Sequence, residues 1–389
     1  MTFGLALAPE HKVFGAFAVY SFAMGNIFPR FAEIRHLMGV GEDAFGFGLI
    51  GAPVGTLISL TFGPPILERI GYRRAIMIAI PLMSALYAIA SFAPNPAIFF
   101  LLLLPVGIVI GAIETILNLE ADRTEHLVGR RIMNRAHAFW SFGFFSAGLV
   151  GGAIAQTGLA VQWHLLMMVP LVLIATILVL GQFEPAPGRA DAHADAPRFA
   201  TPTWGIMSLV AVTLAAMAME GGYMDWSVIY MDSIFNSLPF IAALAVTCGA
   251  GAQAVTRFFA DRFVERFSPV AVARVLICIL MVGVVLVFFA RAEWMALAGF
   301  ALLGVGSSAI FPLAMSAAAQ RTDRPAAVNV AALAQTSFTV FLLAPPILGF
   351  IAKHWGIPWS FGIGLPLAVL SFAFAGALRS RNPVQEATR

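Results

Sequence analysis

The sequence predicts an all-α membrane protein with twelve transmembrane helices in two halves of six. Three observations carry that reading. Of the 389 residues, 60% are hydrophobic and 11% are charged, where a soluble globular domain has about 25% charged residues. Apolar runs of about 20 residues, the length of a helix that crosses a bilayer, recur along the chain. The remaining charges are placed unevenly. With both termini cytoplasmic, 19 of the 23 Lys and Arg fall on the cytoplasmic side, as the positive-inside bias requires. Arg30, Arg35, Arg291 and Lys353 fall outside.

In order, span one covers 11–31 and carries Tyr20, Asn26 and Arg30. It is long enough to stay as a span, so no cleavable signal peptide is expected. Span two (44–66) holds Pro53 and the pair Gly51 and Gly55. Span three is 74–93. Span four (97–119) holds Pro105, Gly107, Gly111, Glu114 and Asn118. The small-xxx-small pairs in spans two and four read as helix contacts. Span five (134–157) opens with His137, and span six is 162–182. Span seven (203–228) carries Glu220, Gly221, Gly222 and Asp225. Spans eight (237–256) and nine (270–290) hold the two cysteines, Cys248 and Cys278, so no disulfide framework is indicated. Span ten (294–319) contains Pro312. Span eleven (327–352) contains Gln335, Thr336, Pro345 and Pro346, and span twelve is 358–378. Membrane helices tolerate proline when neighbours satisfy the freed carbonyls. Trp163, Trp204, Trp226, Trp294, Trp355 and Trp359 lie near span ends, as an interfacial belt would.

A segment rich in Ala, Pro and Asp, 184–202, reads as a flexible cytoplasmic linker. It separates an N-terminal six-helix half (1–183) from a C-terminal one (203–389). The halves look related. "GAIA" at 152–155 matches "GFIA" at 349–352, an offset of 197. "ERIGYRR" at 68–74 lies over "DRFVERF" at 261–267, an offset of 193. "AMGNIFPRF" in span one lies over "AMEGGYMDW" in span seven, an offset of 195. A duplication on one axis along the membrane normal is how one class of alternating-access transporter is built.

The loop after span two reads "GPPILERIGYRR", and Glu68, Arg69, Gly71, Arg73 and Arg74 carry its signature of an acid, a glycine and basic residues. In the second half Asp261 and Arg262 match, while Arg257 stands at the glycine position. This loop resembles that of the major facilitator superfamily. Three further pieces resemble the MosC-like branch of that superfamily: Arg30 before an "IR" run, His137 at the start of span five, and Glu220, Asp225, Trp226 and Tyr230. Where the branch tends to have Asp in span four, this chain has Glu114. The resemblance implies the major facilitator fold of two pseudo-symmetric halves, and a loop that helps lock the cytoplasmic side. A plain positive-inside loop would need neither the acid nor the glycine.

Charges inside a bilayer usually face a cavity or a partner. Glu114 and Asn118, four apart, share a helix face, and His137 enters from the same side. A carboxylate near a histidine could carry protons, or the two could be a fixed structural pair. Glu220 is expected to point into a central cavity, with the glycine pair weakening the helix beside it. The 195 offset lays Arg30 over Asp225, which suggests an outer gate pair; the plainer reading is a loop-end acid beside an interfacial Trp226. Tyr20, Asn26, Gln335 and Thr336 suit the cavity or ordinary packing equally.

These readings converge on a secondary active transporter, proton-coupled, with Glu114 and Glu220 as candidate proton carriers. Candidate cavity acids outnumber bases, which disfavours a multiply charged anion, and a neutral polyol or sugar-like solute is what the branch resemblance implies. Efflux of amphiphilic or cationic compounds is the alternative, and a transport-inactive receptor or scaffold is an alternative of another class. The chain has no Walker loop, no metal-ligand spacing among its seven histidines and no cluster suited to an enzyme. "GVGSSA" at 304–309 lacks the strand a dinucleotide site needs. No cofactor and no nucleic-acid partner are expected. The expected setting is the inner (plasma) membrane of a bacterium, as a multi-pass monomer with both termini cytoplasmic.

Overall fold

The computed structural model describes residues 4–130, 132–187 and 200–379, and among them every regular element is helical. The first half contains α1 (Pro9–Gly25), a 3-10 turn (Phe28–Arg30), α2 (Phe31–Met38), α3 (Glu42–Leu49), α4 (Gly51–Phe62), α5 (Pro64–Ile70), α6 (Tyr72–Ala90), α7 (Pro96–Val128), α8 (Met133–Gln156) and α9 (Val161–Leu180). The second contains α10 (Trp204–Phe235), α11 (Pro239–Phe267), α12 (Pro269–Phe288), α13 (Glu293–Ser307), α14 (Ile310–Ala319), α15 (Ala326–Trp355), α16 (Ile357–Gly362), α17 (Gly364–Phe374) and a closing 3-10 turn (Ala375–Leu378). Starts follow local chemistry. Proline opens α7, α11 and α12, where its missing N–H costs nothing. Asn95 caps α7 by accepting from the Ile98 amide at 3.0 Å. The central part of the expected linker, 188–199, lies outside the described residues.

Among the described residues eleven helical stretches are long and apolar enough to cross a membrane, against twelve expected. The difference is α1, which has 17 residues and so spans about 26 Å, short of the ~30 Å hydrocarbon core. Pro29 lies in the 3-10 turn that follows; it has no N–H to continue the helical ladder. Span seven departs the other way. The 32-residue α10 runs to Phe235, about 48 Å, and ends where Asn236 turns left-handed at φ 50. It runs straight through Gly221 and Gly222, so the expected weak point there is not realised. The two glycines instead let Phe341, Ala344 and Leu348 of α15 approach.

The small-xxx-small pairs do join helices. A Cβ on Gly107 would meet the Ala52 carbonyl oxygen at 1.8 Å, and one on Gly55 would meet that of Leu104 at 2.0 Å, so α4 and α7 touch backbone to backbone. The turn after α5 needs Gly71 at φ +85. Its counterpart after α11 is Ser268 at φ 86. That equivalence sets Glu265 and Arg266 over Glu68 and Arg69, rather than the expected Asp261 and Arg262.

The halves meet along two seams, α8 against α11 and α3 against α15. In span numbers these are 5 with 8 and 2 with 11, and exchanging each span for its equivalent in the other half, six places on or back, turns one seam into the other, as a pseudo-two-fold requires. The α8–α11 seam is tight toward Gln156. There the Phe240 amide donates to Gln156 Oε1 at 3.1 Å, and Gly152, Gly148 and Gly251 lie against Ala243, Thr247 and Phe145.

Candidate functional site

Four sequence-selected residues come together in the first half. Tyr20 OH of α1 donates to Glu114 Oε1 at 2.8 Å. Asn118 Nδ2 donates to Glu114 Oε2 at 3.0 Å and to the Glu114 carbonyl at 2.9 Å. With its nitrogen so committed, Asn118 offers Oδ1 to His137 Nε2 at 3.2 Å. Nε2 must then be the protonated ring nitrogen. His137 thus reaches Glu114 through Asn118 and not directly. Glu114, Asn118 and His137 are half-buried, and Tyr20 is buried.

Glu220 sits at the midpoint of α10, not toward its outer end. Arg257 of α11 meets it, Nη2 to Oε1, at 3.4 Å and donates from Nε to the Ser308 carbonyl at 2.9 Å. Arg257 had been read only as a loop residue. It was missed because α11 extends to Phe267, about 16 Å beyond the apolar run that ends near residue 256. One turn earlier on the same face, the Gln253 side chain is buried with neither amide atom partnered, and the Tyr223 hydroxyl is likewise buried and unpartnered.

The Arg30–Asp225 pair is not formed. Arg30 lies in the turn after α1 and reaches back within its own half, to the Leu159 carbonyl at 2.6 Å and Glu33 at 2.5 Å. Asp225 is half-buried and forms no ion pair among the described residues.

The contacts that bridge the halves lie about 10 Å farther along α10. Asp232 takes His36 Nε2 at 2.7 Å and lies 3.9 Å from Arg35, which also holds Glu42. Asp43 of α3 holds Lys353 of α15 at 2.7 Å. Beneath them Trp226 is fully buried, edge-on to Phe45 and against Gly46 and Gly349. It is a plug between α3 and α15 and not an interfacial anchor. Trp163, Trp204, Trp294, Trp355 and Trp359 are exposed, as a belt requires. Neighbours such as Ile27, Ile229 and Phe45 are fully buried at this end.

The arginine-rich end differs. Arg130 pairs with Glu10, and Arg321 with Asp323, each inside one half. Arg73 donates to the Gly181 carbonyl at 2.7 Å, also within its half, and Glu68, Arg69, Arg74 and Arg262 are exposed. Among the described residues no ion pair crosses between halves here. The Asp261 side chain lies outside the described residues. Asn26 bonds Phe22 and His164 inside the first half, and Gln335 accepts from the Ala200 amide at 3.2 Å, so both sit apart from the Glu114 network. The halves are joined at the Asp232 end, whereas the described ion pairs at the other end stay within one half.

Residues 209–389 match the family model for the Major Facilitator Superfamily. The chain is similar to an uncharacterized transporter, y4wD, of Sinorhizobium fredii (strain NBRC 101917 / NGR234), at 28% identity over 89% of this chain and 92% of that one. It is also similar to the membrane protein MosC of Rhizobium meliloti, at 23% identity over 84% and 79%. Among solved structures, a point mutant of the nucleoside transporter NupG superposes with a TM-score of 0.74 at 11% identity, over 96% of this chain and all of that one. The fucose:proton symporter FucP of E. coli does so at 0.58 and 18%, over 95% and 98%. The resemblance to the major facilitator superfamily and its MosC-like branch is borne out, as is the expectation that the chain is no enzyme.

Proposed function

We propose that this membrane transporter of the major facilitator type is a proton-coupled carrier of a small neutral, polyhydroxylated solute, with Glu114 as the proton carrier. One observation carries the reading. Glu114 is held by a hydroxyl and an amide, Tyr20 and Asn118, and among the described residues no cation pairs with it. The Tyr20 hydroxyl can also accept a hydrogen bond, so the same cradle serves the carboxylate and the carboxylic acid. Glu220 differs, because Arg257 already pairs with it. Of the two candidate carriers this favours Glu114.

Arg257 is matched by Glu220, and among the described residues Glu114 and Asp225 stand within their helices without an ion pair. A neutral solute suits that balance better than a multiply charged anion. The fold of a nucleoside transporter and of a fucose:proton symporter supports a hydroxyl-rich solute. Unpaired Asp225 favours a second reading, an amphiphilic cation moved by efflux. The arginine asymmetry supports an inner-membrane orientation with both termini cytoplasmic, in which the present conformation faces inward. We read the unit as a monomer.

The test is counterflow in proteoliposomes with uridine, L-fucose, myo-inositol and tetraphenylphosphonium as probes. Exchange of a hydroxylated probe supports the proposal, and exchange of tetraphenylphosphonium alone transfers it to efflux. Binding of a probe without any exchange would fit a receptor and count against transport of it.

A further inference from the structure

We propose that a groove on the lipid-facing side of the second half binds one anionic phospholipid, its phosphate on Arg274 and one acyl chain along α12. The groove, about 510 Å³, is lined by Arg274, Val275, Cys278, Ile279 and Val282 of α12, with Leu302 of α13 and Phe372 of α17. It lies apart from the Glu114 and Arg257 sites.

The helix phase defines its outward face. Positions 275, 278 and 282 recur at helical spacing, and Val275 and Val282 are more than half exposed, whereas Ala273, Leu276, Ile277, Leu280 and Val284 are buried in the bundle. From Arg274 to Val282 the stripe runs about 12 Å. All the lining side chains except Arg274 are apolar or a thiol. In water such a groove would be an unfilled hydrophobic surface; in a bilayer a hydrocarbon chain fills it.

Arg274 gives the groove chemical selectivity. It sits five residues inside Pro269, at the same end as Arg262 and Arg266 of α11. Its guanidinium lies over the Phe372 ring, 5.3 Å from the centroid, which positions the charge at the head of the stripe. Among the described residues no carboxylate forms an ion pair with it. A cation facing lipid needs either water or an anion, and a long arginine reaches the headgroup layer from this depth. An anion joined to a hydrocarbon chain satisfies the cation and the groove together. A zwitterionic lipid offers the chain but cancels the charge, and a free anion leaves the groove empty. Basic pockets at helix junctions on the cytoplasmic side take anionic headgroups for this reason.

The experiment is native mass spectrometry of the full-length protein from detergent with equimolar phosphatidylglycerol and phosphatidylcholine. The wild type should retain phosphatidylglycerol about fivefold over phosphatidylcholine, the ratio set by about 1 kcal/mol for one basic residue at an anionic surface. Arg274→Gln should bring the ratio close to one, and Arg274→Lys should preserve most of it. Val282→Trp, which fills the groove, should lower the number of lipids retained by one. Unchanged preference in Arg274→Gln, or unchanged lipid number in Val282→Trp, overturns the proposal. So does displacement of the lipid by inorganic phosphate, which would make this an anion site. A dimer in lipid-free detergent that Val282→Trp dissociates would instead give the groove to a second copy of this chain.

Discussion

Replacing Asp232 with Asn should shift the protein toward the conformation opened at the Asp232 end. In the closed form the Asp232 carboxylate, about a quarter exposed, holds His36 at 2.7 Å and stands 3.9 Å from Arg35. Both partners belong to the other half, so both contacts are lost when the halves separate. Pairs at partly exposed sites contribute about 0.2–1 kcal/mol each, so the substitution removes roughly 0.5–2 kcal/mol from closure. At 1.4 kcal/mol per factor of ten, that raises the ratio of open to closed about 2- to 30-fold. Arg35 keeps Glu42, so no bare buried charge remains and the fold should hold. Adding Lys353→Met removes the Asp43 pair on different helices, and its effect should add. The assay is double electron–electron resonance between spin labels at Leu37 and His354, exposed positions of the two halves, with Cys248 and Cys278 replaced by Ser. The long-distance population should grow in Asp232→Asn and again in the double variant. Identical distributions in the wild type and both variants would refute the assignment of these pairs as the gate.

Three further outcomes follow from the packing and charges. Gly107→Ala places a methyl group 1.8 Å from the Ala52 carbonyl oxygen, and the required separation of α4 from α7 should cost about 1–3 kcal/mol, visible as a lower melting temperature in detergent. Glu220→Gln and Arg257→Gln each leave a mostly buried charge alone and should each destabilise by about 1–3 kcal/mol; the double variant should lose less than the sum, and strict additivity in thermal melts would deny the pair. Asp323, in the loop before α15, is held at about 2 by hydrogen bonds from Arg321 and Asn329, below its unfolded value of ~3.9. Its contribution is therefore complete above pH 4 and lost as pH falls toward 2, so the stability gap between wild type and Asp323→Asn should narrow over that interval and stay flat above it.

Much of the fold could be read from composition because the bilayer enforces it: a helix must be about 20 apolar residues long to cross, and the arginines mark one side. The Glu114 network was legible for a similar reason, since polar residues are rare in such helices and Glu114 and Asn118 share a face by spacing alone. What stayed hidden was anything set by helix ends. The span ending assumed at residue 228 put Asp225 at the mouth, but α10 continues to Phe235, and the contacts between the halves form at Asp232. Trp226 reads as interfacial only while it sits near a helix end. Arg257 falls past the apolar run, so hydropathy gave it to a loop. The repeat offset paired Arg30 with Asp225 in sequence, yet equivalent positions need not touch, and Pro29 turns Arg30 back toward its own half.

The most direct test of proton carriage by Glu114 is solute accumulation driven by an imposed pH gradient in proteoliposomes, compared between wild type and Glu114→Gln. The probe is whichever hydroxylated solute exchanges in counterflow. The account predicts that the wild type accumulates it against its gradient, while Glu114→Gln still exchanges it but no longer accumulates it. Accumulation by Glu114→Gln equal to that of the wild type would contradict the assignment.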